Sequence, residues 1–156
     1  MNLRELAAEA TGLIGIAGDA ETEVSRVCAD TRRTEQLQGS LFFCVSGATF
    51  DGHRFAKRAV EGGAVALAVE RLLPEIDVPQ IQVENIRIAM AQIAGAFYGP
   101  PARKMRLLAI TGTKCKTTTA YLFTSHLAQA GIHCRLLHTL GNMNGLRILK
   151  HAPPTP

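Results

Sequence analysis

Apolar residues along this chain fall into short runs broken by turn-forming residues, and the runs switch between strand-like and helix-like spacing. Leu3, Leu6 and Ala7 share one side of a helix predicted over residues 3–10. Leu41-Phe42-Phe43-Cys44-Val45 is almost continuously apolar, the pattern of a strand covered on both faces. After an Asp51-Gly52 turn, residues 53–61 read as a helix stopped at Gly62-Gly63, and residues 64–69 as the next strand. Pro79 opens a short strand at Ile81-Gln82-Val83. Asn85 is placed to cap a helix over 86–98, where Ile86, Met90, Ile93, Ala94 and Phe97 recur at helical spacing. Residues 107–110, Leu-Leu-Ala-Ile, predict a buried strand. Residues 116–130 predict a helix with Tyr121, Leu122, Leu127 and Ala128 on one face, and residues 133–138 a further strand.

Alternating strands and helices indicate an α/β fold with a mainly parallel sheet. Gly99-Pro100-Pro101, followed by Arg103-Lys104, is the strongest linker signal, and it places a domain boundary near residue 105. Two domains are expected, 1–105 and 106–156. The second holds only a strand, a loop, a helix and a strand, the truncated opening of an α/β nucleotide-binding unit. No apolar run approaches the ~20 residues that span a bilayer, and the mixed charges of Met1–Leu6 lack a signal-peptide core, so a soluble cytoplasmic protein is expected. Net charge is +4, with basic residues scattered, and aromatics are 5% of the chain. That suits an anionic small molecule and argues against nucleic acid. Cys28, Cys44, Cys115 and Cys134 lie far apart and read as reduced thiols rather than disulfide or zinc ligands.

Three motifs carry candidate chemistry. In Ile110–Thr119 an apolar run, a tight turn and a helix start would converge backbone N–H groups on a polyphosphate. Lys116 would reach the outer phosphates and the Thr117 hydroxyl would sit on magnesium. A glycine normally precedes such a lysine, and here the residue is Cys115. If that position needs positive φ, cysteine costs about 1–2 kcal/mol, and its Cβ and sulfur intrude where phosphate oxygens belong. Lys114 adds charge without restoring shape, so weak or absent ATP binding is expected. The bland alternative is a threonine-rich turn. The second motif, Asp30-Thr31-Arg32, could bind a nucleotide's sugar and phosphates, although Asp-Thr at a turn is as often a cap. The third spans Gly47 to His53. There Asp51 is a candidate helix cap, Gly52 a tight entry, and His53 by default a surface residue.

Taken in order, these pieces resemble the Mur ligases, which build the peptidoglycan stem peptide, and among them the MurE type. The resemblance covers essentially the whole chain. Its carriers are Asp30-Thr31-Arg32, Gly39–Phe43, Phe50-Asp51-Gly52-His53, Phe97-Tyr98 before the proline linker, Thr111-Gly112-Thr113, Lys116-Thr117-Thr118-Thr119, Thr139-Leu140-Gly141-Asn142 and Thr155-Pro156. The resemblance implies that residues 1–105 hold the UDP part of the substrate, with Ala29, Thr31, Ala48, Thr49 and Phe50 lining the uridine nucleotide, and that Thr155 contacts the muramoyl part of the same substrate. It likewise implies ATP and Mg²⁺ as cofactors. Gly112, Thr113, Lys114, Cys115, Lys116, Thr117 and Thr118 would form the ATP loop, with Lys116 catalytic and Thr117 on the metal. The implied reaction phosphorylates the terminal carboxylate of UDP-N-acetylmuramoyl-dipeptide, and an incoming amino acid then attacks the acyl phosphate to give an amide. The partners implied are that UDP-muramoyl peptide and an amino acid, in a cytoplasmic monomer without membrane insertion. Family members carry Asn-Gly where this chain has Lys114-Cys115, and the chain stops within the central domain, so alone it is expected to be inactive. A MurF-type fragment and a non-catalytic UDP-sugar-binding remnant remain as alternatives, while an unrelated phosphate-loop NTPase fits residues 1–105 less well.

Overall fold

The structure, a computed structural model, describes residues 1–32, 34–47, 51–99, 105–138, 141–144 and 147–149. The chain divides into two compact units, Met1–Met105 and Arg106–Pro156. The first contains α1 (Leu3–Ala8), β1 (Leu13–Ala17), β2 (Arg26–Cys28), α2 (Thr34–Leu37), β3 (Ser40–Phe43), a 3-10 turn (Gly52–Phe55), α3 (Ala56–Glu61), β4 (Ala66–Val69), β5 (Gln80–Val83) and α4 (Ile86–Tyr98).

Its five strands lie in the order β1-β5-β4-β3-β2. The pairs β2–β3, β3–β4 and β4–β5 are parallel, and β1 closes one edge antiparallel to β5. The apolar runs explain this arrangement. Every residue of β3 and β4 is buried, and successive side chains go to opposite faces. Leu41, Phe43, Ala66 and Ala68 join Leu3 and Leu6 of α1 and Ile86, Ala89 and Ile93 of α4 in one cluster. Phe42, Cys44, Leu67 and Val69 join Leu37 of α2 and Ala56 and Ala59 of α3 in the other. A mainly parallel sheet with helices on both faces results, as the runs predict.

Three elements of this unit, β1, β2 and α2, are absent from the sequence reading, as are two strands of the second unit, Gly141–Asn144 and Arg147–Leu149. β1 is interrupted by Gly15, carries a register shift between Leu13 and Gly15, and none of its five residues is fully buried. β2 has only three residues, held by pairing with β3. The helix expected over 53–61 begins instead as the 3-10 turn and becomes α3 at Ala56. Helix α4 has the expected bounds and the expected Asn85 cap.

In the second unit α5 (Lys116–Gln129) precedes β6 (Arg135–His138), β7 (Gly141–Asn144) and β8 (Arg147–Leu149), which form an antiparallel meander. The strand expected at 107–110 does not form. Leu107 and Leu108 are 74% and 61% exposed. A strand buried on both faces needs hydrogen-bonded neighbours, and β6–β8 pair with one another instead. The expected apolar face of α5 is also corrected. Ala120 and Thr124 are its buried residues, whereas Leu122 and Phe123 stand exposed. Thr124 tolerates burial because its hydroxyl donates to the Ala120 carbonyl at 2.8 Å. Among the described residues no helix is long and apolar enough to cross a membrane.

Candidate functional site

Parallel α/β sheets present their ligand sites at the carboxyl ends of the strands. In the first unit that edge collects Ala29-Asp30-Thr31-Arg32 after β2, Cys44–Gly47 and Asp51 after β3, and Glu70-Arg71 after β4. Thr31 is buried. The Asp30 carboxylate takes Arg32 by a two-point grip, Nε to Oδ1 and Nη2 to Oδ2 at 2.8 Å each, and accepts the Arg32 backbone N–H at 3.0 Å. This hydrogen bonding, with the carboxylate's charge behind it, raises the Arg32 pKa above its usual value. The triplet is therefore an Asx-type turn whose guanidinium is held by its own carboxylate.

Asp51 is the hub of this edge. It caps the 3-10 turn by accepting the His53 N–H at 3.0 Å, and its carboxylate also accepts from His53 Nδ1 at 2.7 Å, Ser46 Oγ at 3.0 Å and Arg71 Nη2. The His53 amide, then its imidazole, hold the Asp51 carboxyl well below the usual carboxylate range. His53 is only 8% exposed, which overturns its default assignment to the surface. The tight turn that Asp51 caps carries the ring inward, where the carboxylate satisfies Nδ1. Nε2 is buried without a hydrogen-bond partner among the described residues. Burial, reinforced by the Asp51 charge, pushes the neighbouring Cys44 thiol up to about 12, so this sulfur stays protonated.

Gly52 is fixed by close approach. A Cβ there would lie 2.5 Å from the Val45 carbonyl carbon and 2.7 Å from its nitrogen. The two stems of the loop after β3 thus touch backbone to backbone. Helix α4 reaches the same place. Asn85 Oδ1 accepts the N–H groups of Arg87 and Ile88 at 3.1 Å, Glu70 Oε1 accepts that of Ile86 at 3.0 Å, and Arg87 Nη2 donates to the Ser46 carbonyl at 3.0 Å. Ser46, Glu70, Arg71 and Arg87 are not among the sequence candidates. Their sequence signal is slight: a charged pair directly after an apolar strand, and an arginine in the first turn of a capped helix. The sequence candidates Ala48, Thr49, Phe50 and Thr155 lie outside the described residues, while Ala29 is half-buried beside Thr31.

In the second unit residues 111–115 form an irregular loop that turns into α5 at Lys116. Cys115 takes the N-cap position with φ 61 and ψ 7, the left-handed conformation that a glycine would adopt without strain. Among the described residues it is the one non-glycine with positive φ. Gly112 has φ 151, and a Cβ added there would meet no atom closer than 3.6 Å, so conformation rather than crowding favours glycine. Lys116 Nζ donates back to the Gly112 carbonyl at 2.5 Å, tying the ends of the loop. Thr113, Lys114, Cys115, Lys116 and Thr118 are exposed and Thr117 is half-buried. The open amides of a 14-residue helix, an ammonium and a hydroxyl suit a triphosphate and its magnesium ion at every position but one. The exception is Cys115, whose Cβ stands where the backbone should be bare.

Residues 23–98 match the family described as "Mur ligase family, catalytic domain". Over 118 residues, 76% of this chain, the sequence is 46% identical to the UDP-N-acetylmuramoyl-L-alanyl-D-glutamate–2,6-diaminopimelate ligase of Geobacillus thermodenitrificans, covering 24% of that protein. Over all 156 residues it is 37% identical to the ligase of the same name from Listeria monocytogenes, covering 31% of it. The chain thus spans about a quarter to a third of the length of these relatives. Among solved structures, MurF from Acinetobacter baumannii superposes with a TM-score of 0.63 at 28% identity, over 82% of this chain and 27% of that one.

Proposed function

Because the chain belongs to the Mur ligase family, we propose that it is the nucleotide-handling portion of a MurE-type ligase. Such an enzyme adds an amino acid, diaminopimelate in the named relatives, to UDP-N-acetylmuramoyl-L-alanyl-D-glutamate. In this reading residues 1–105 are the UDP-binding domain and 106–156 the beginning of the ATP-binding domain. The observation that carries it is the retained loop conformation: a left-handed residue at 115 directly before α5, with Lys116 and Thr117 on the helix's first turn.

ATP, when bound, supplies the phosphoryl group that activates the substrate carboxylate for attack by an amine. Lys116 would hold the outer phosphates, at the expense of its bond to the Gly112 carbonyl, and the Thr117 hydroxyl would ligate magnesium. Amides at the start of α5 would offset phosphate charge. In the first unit, Thr31 and the loop after β3 would orient the uridine end. A reaction that consumes ATP and a UDP-linked precursor belongs in the cytoplasm, and in this reading the protein acts there as a monomer.

Titrating the UDP-muramoyl dipeptide and, separately, magnesium-ATP into the purified chain tests this. Saturable binding of the first and weak binding of the second is the expected outcome. No heat from the UDP-muramoyl dipeptide would refute the reading. A second reading, a UDP-sugar-binding module without ATP chemistry, is favoured by Cys115 alone. It predicts that Cys115→Gly combined with Lys114→Asn leaves ATP affinity unchanged.

A further inference from the structure

At the end of the sheet opposite Thr31 and Asp51, the first unit holds a cleft of about 380 Å³. It lies where β1 ends and β5 begins, since Ala17 and Gln80 are paired across those two strands. One wall is the end of β1 with Gly18 and Asp19, and the other is the segment 73–80 that leads from β4 back into β5. That second wall is held at several points. Gln80 is 5% exposed and turns its amide into the segment, where Oε1 accepts the Leu73 N–H at 3.0 Å and Nε2 donates to the Leu73 carbonyl at 2.8 Å. The Pro79 carbonyl accepts the Leu67 N–H of β4 at 2.9 Å. Gly18, with φ 89, comes so near that a Cβ on it would lie 3.0 Å from the Pro79 Cα. Pro74 and Pro79 each fix a backbone angle of the same segment. The cleft is preformed.

Its lining combines two chemistries. Leu73, Ile76 and Val78 supply apolar surface, and Asp19 and Asp77 supply two exposed carboxylates. Among the described residues neither aspartate is in an ion pair, for the paired carboxylates there are those of Glu21, Glu23, Asp30 and Asp51. The cation at hand goes elsewhere: Arg4 donates its amide to the Ala20 carbonyl, beside Asp19, yet its guanidinium pairs with Glu21 at 2.9 Å. Asp19 Oδ1 accepts a neutral group, the Glu21 N–H, at 2.9 Å. Two uncompensated negative charges beside an apolar wall repel anions and attract cations, and an aliphatic stem gains by covering the wall. We propose that this cleft binds a small free aliphatic cation, an alkylammonium or alkylguanidinium whose stem lies on Leu73, Ile76 and Val78 and whose charge meets Asp19 and Asp77. The cleft's volume falls at the small end of the roughly 300–1,000 Å³ typical of ligand pockets, which suits a ligand of side-chain size. This site stands apart from the nucleotide-sugar reading and does not depend on it.

The test titrates agmatine, a short aliphatic chain with a cation at each end, into the full chain and follows backbone amide shifts by NMR. Gly18, Asp77, Val78 and Gln80 report on the cleft, and Thr31 and His53 report on the other end of the sheet. Saturable shifts confined to the cleft amides are expected, with a Kd on the order of 1 mM that rises at high salt. Asp19→Asn and Asp77→Asn should each raise Kd about threefold to fivefold, and the double variant about tenfold. Both side chains are exposed and asparagine can still accept the Glu21 N–H, so the melting temperatures should match wild type. Absence of saturable shifts at the cleft overturns the proposal. So does n-pentanol binding as well as agmatine, or a double variant that binds as tightly as wild type, since charge would then play no part. Shifts at Thr31 and His53 as large as those in the cleft also overturn it, because the cation would then be sampling carboxylates in general. Tighter binding of arginine capped at both ends than of agmatine would make the ligand a peptide side chain and overturn the assignment to a free cation.

Discussion

Replacing Cys115 with glycine isolates the one misfit in the proposed phosphate loop. The residue sits at φ 61 and ψ 7, where a Cβ crowds the following carbonyl at a cost of about 1–2 kcal/mol. Glycine removes that cost but gives the unfolded chain more freedom, which offsets about 0.4–1 kcal/mol. The net gain is about 1 kcal/mol, or about a fivefold change in a local opening equilibrium. The Thr119 amide reports it directly, because its N–H donates to the Cys115 carbonyl at 2.9 Å in the first turn of α5. Exchange at Thr119 should slow about fivefold in Cys115→Gly. In the double variant Lys114→Asn, Cys115→Gly, clearing the Cβ and sulfur should tighten magnesium-ATP binding by at least about tenfold, roughly 1.4 kcal/mol. Unchanged or faster Thr119 exchange would mean that the left-handed backbone carries no strain for cysteine. Unchanged ATP affinity in the double variant would mean that the thiol is not what obstructs the loop.

Two further outcomes concern the loop after β3. Gly52→Ala forces a Cβ onto the Val45 backbone, which should cost about 2 kcal/mol or more and lower the melting temperature by about 10 °C; a melt indistinguishable from wild type would refute the close approach. The Asp51 carboxyl is held below its ordinary range in the folded state, so its contribution is fully present above the unfolded value of about 3.9 and is lost as pH falls toward the folded one. Thermal stability should therefore hold from about pH 7 to about pH 5 and decline below. Asp51→Asn should reduce that decline, and identical acid profiles for the two proteins would count against it.

The sequence was most legible where one local signal and one burial pattern agreed. Asn85 offers a cap and the residues after it recur at helical spacing, and α4 runs over Ile86–Tyr98 as expected. β3 and β4 could be read because burial on both faces leaves nearly continuous apolar runs. β1 could not, since it is an edge strand whose five residues are all at least partly exposed and which is broken by a glycine. β2 exists through its pairing with β3 rather than through its own composition. Residues 107–110 fail in the opposite sense: their pattern says strand, but hydrogen-bonded neighbours decide whether a strand forms. In each unit's candidate site, motif residues such as Thr31 in the first and Lys116 in the second were visible as spaced residue types. Arg71 and Arg87 matter through partners 20 and 41 positions away, and no local window contains that information.

Ala66 and Ala68, the two small residues that β4 turns toward α4, do more than fill the core. They share their cluster with Ile86, Ala89 and Ile93, so their modest volume sets how closely that helix settles on the sheet. The guanidinium of Arg87 rides on the same helix and spans a gap of fixed width to Ser46. Methyl groups hidden beneath the sheet thereby act as shims, and the reach of a surface arginine is calibrated from inside the protein.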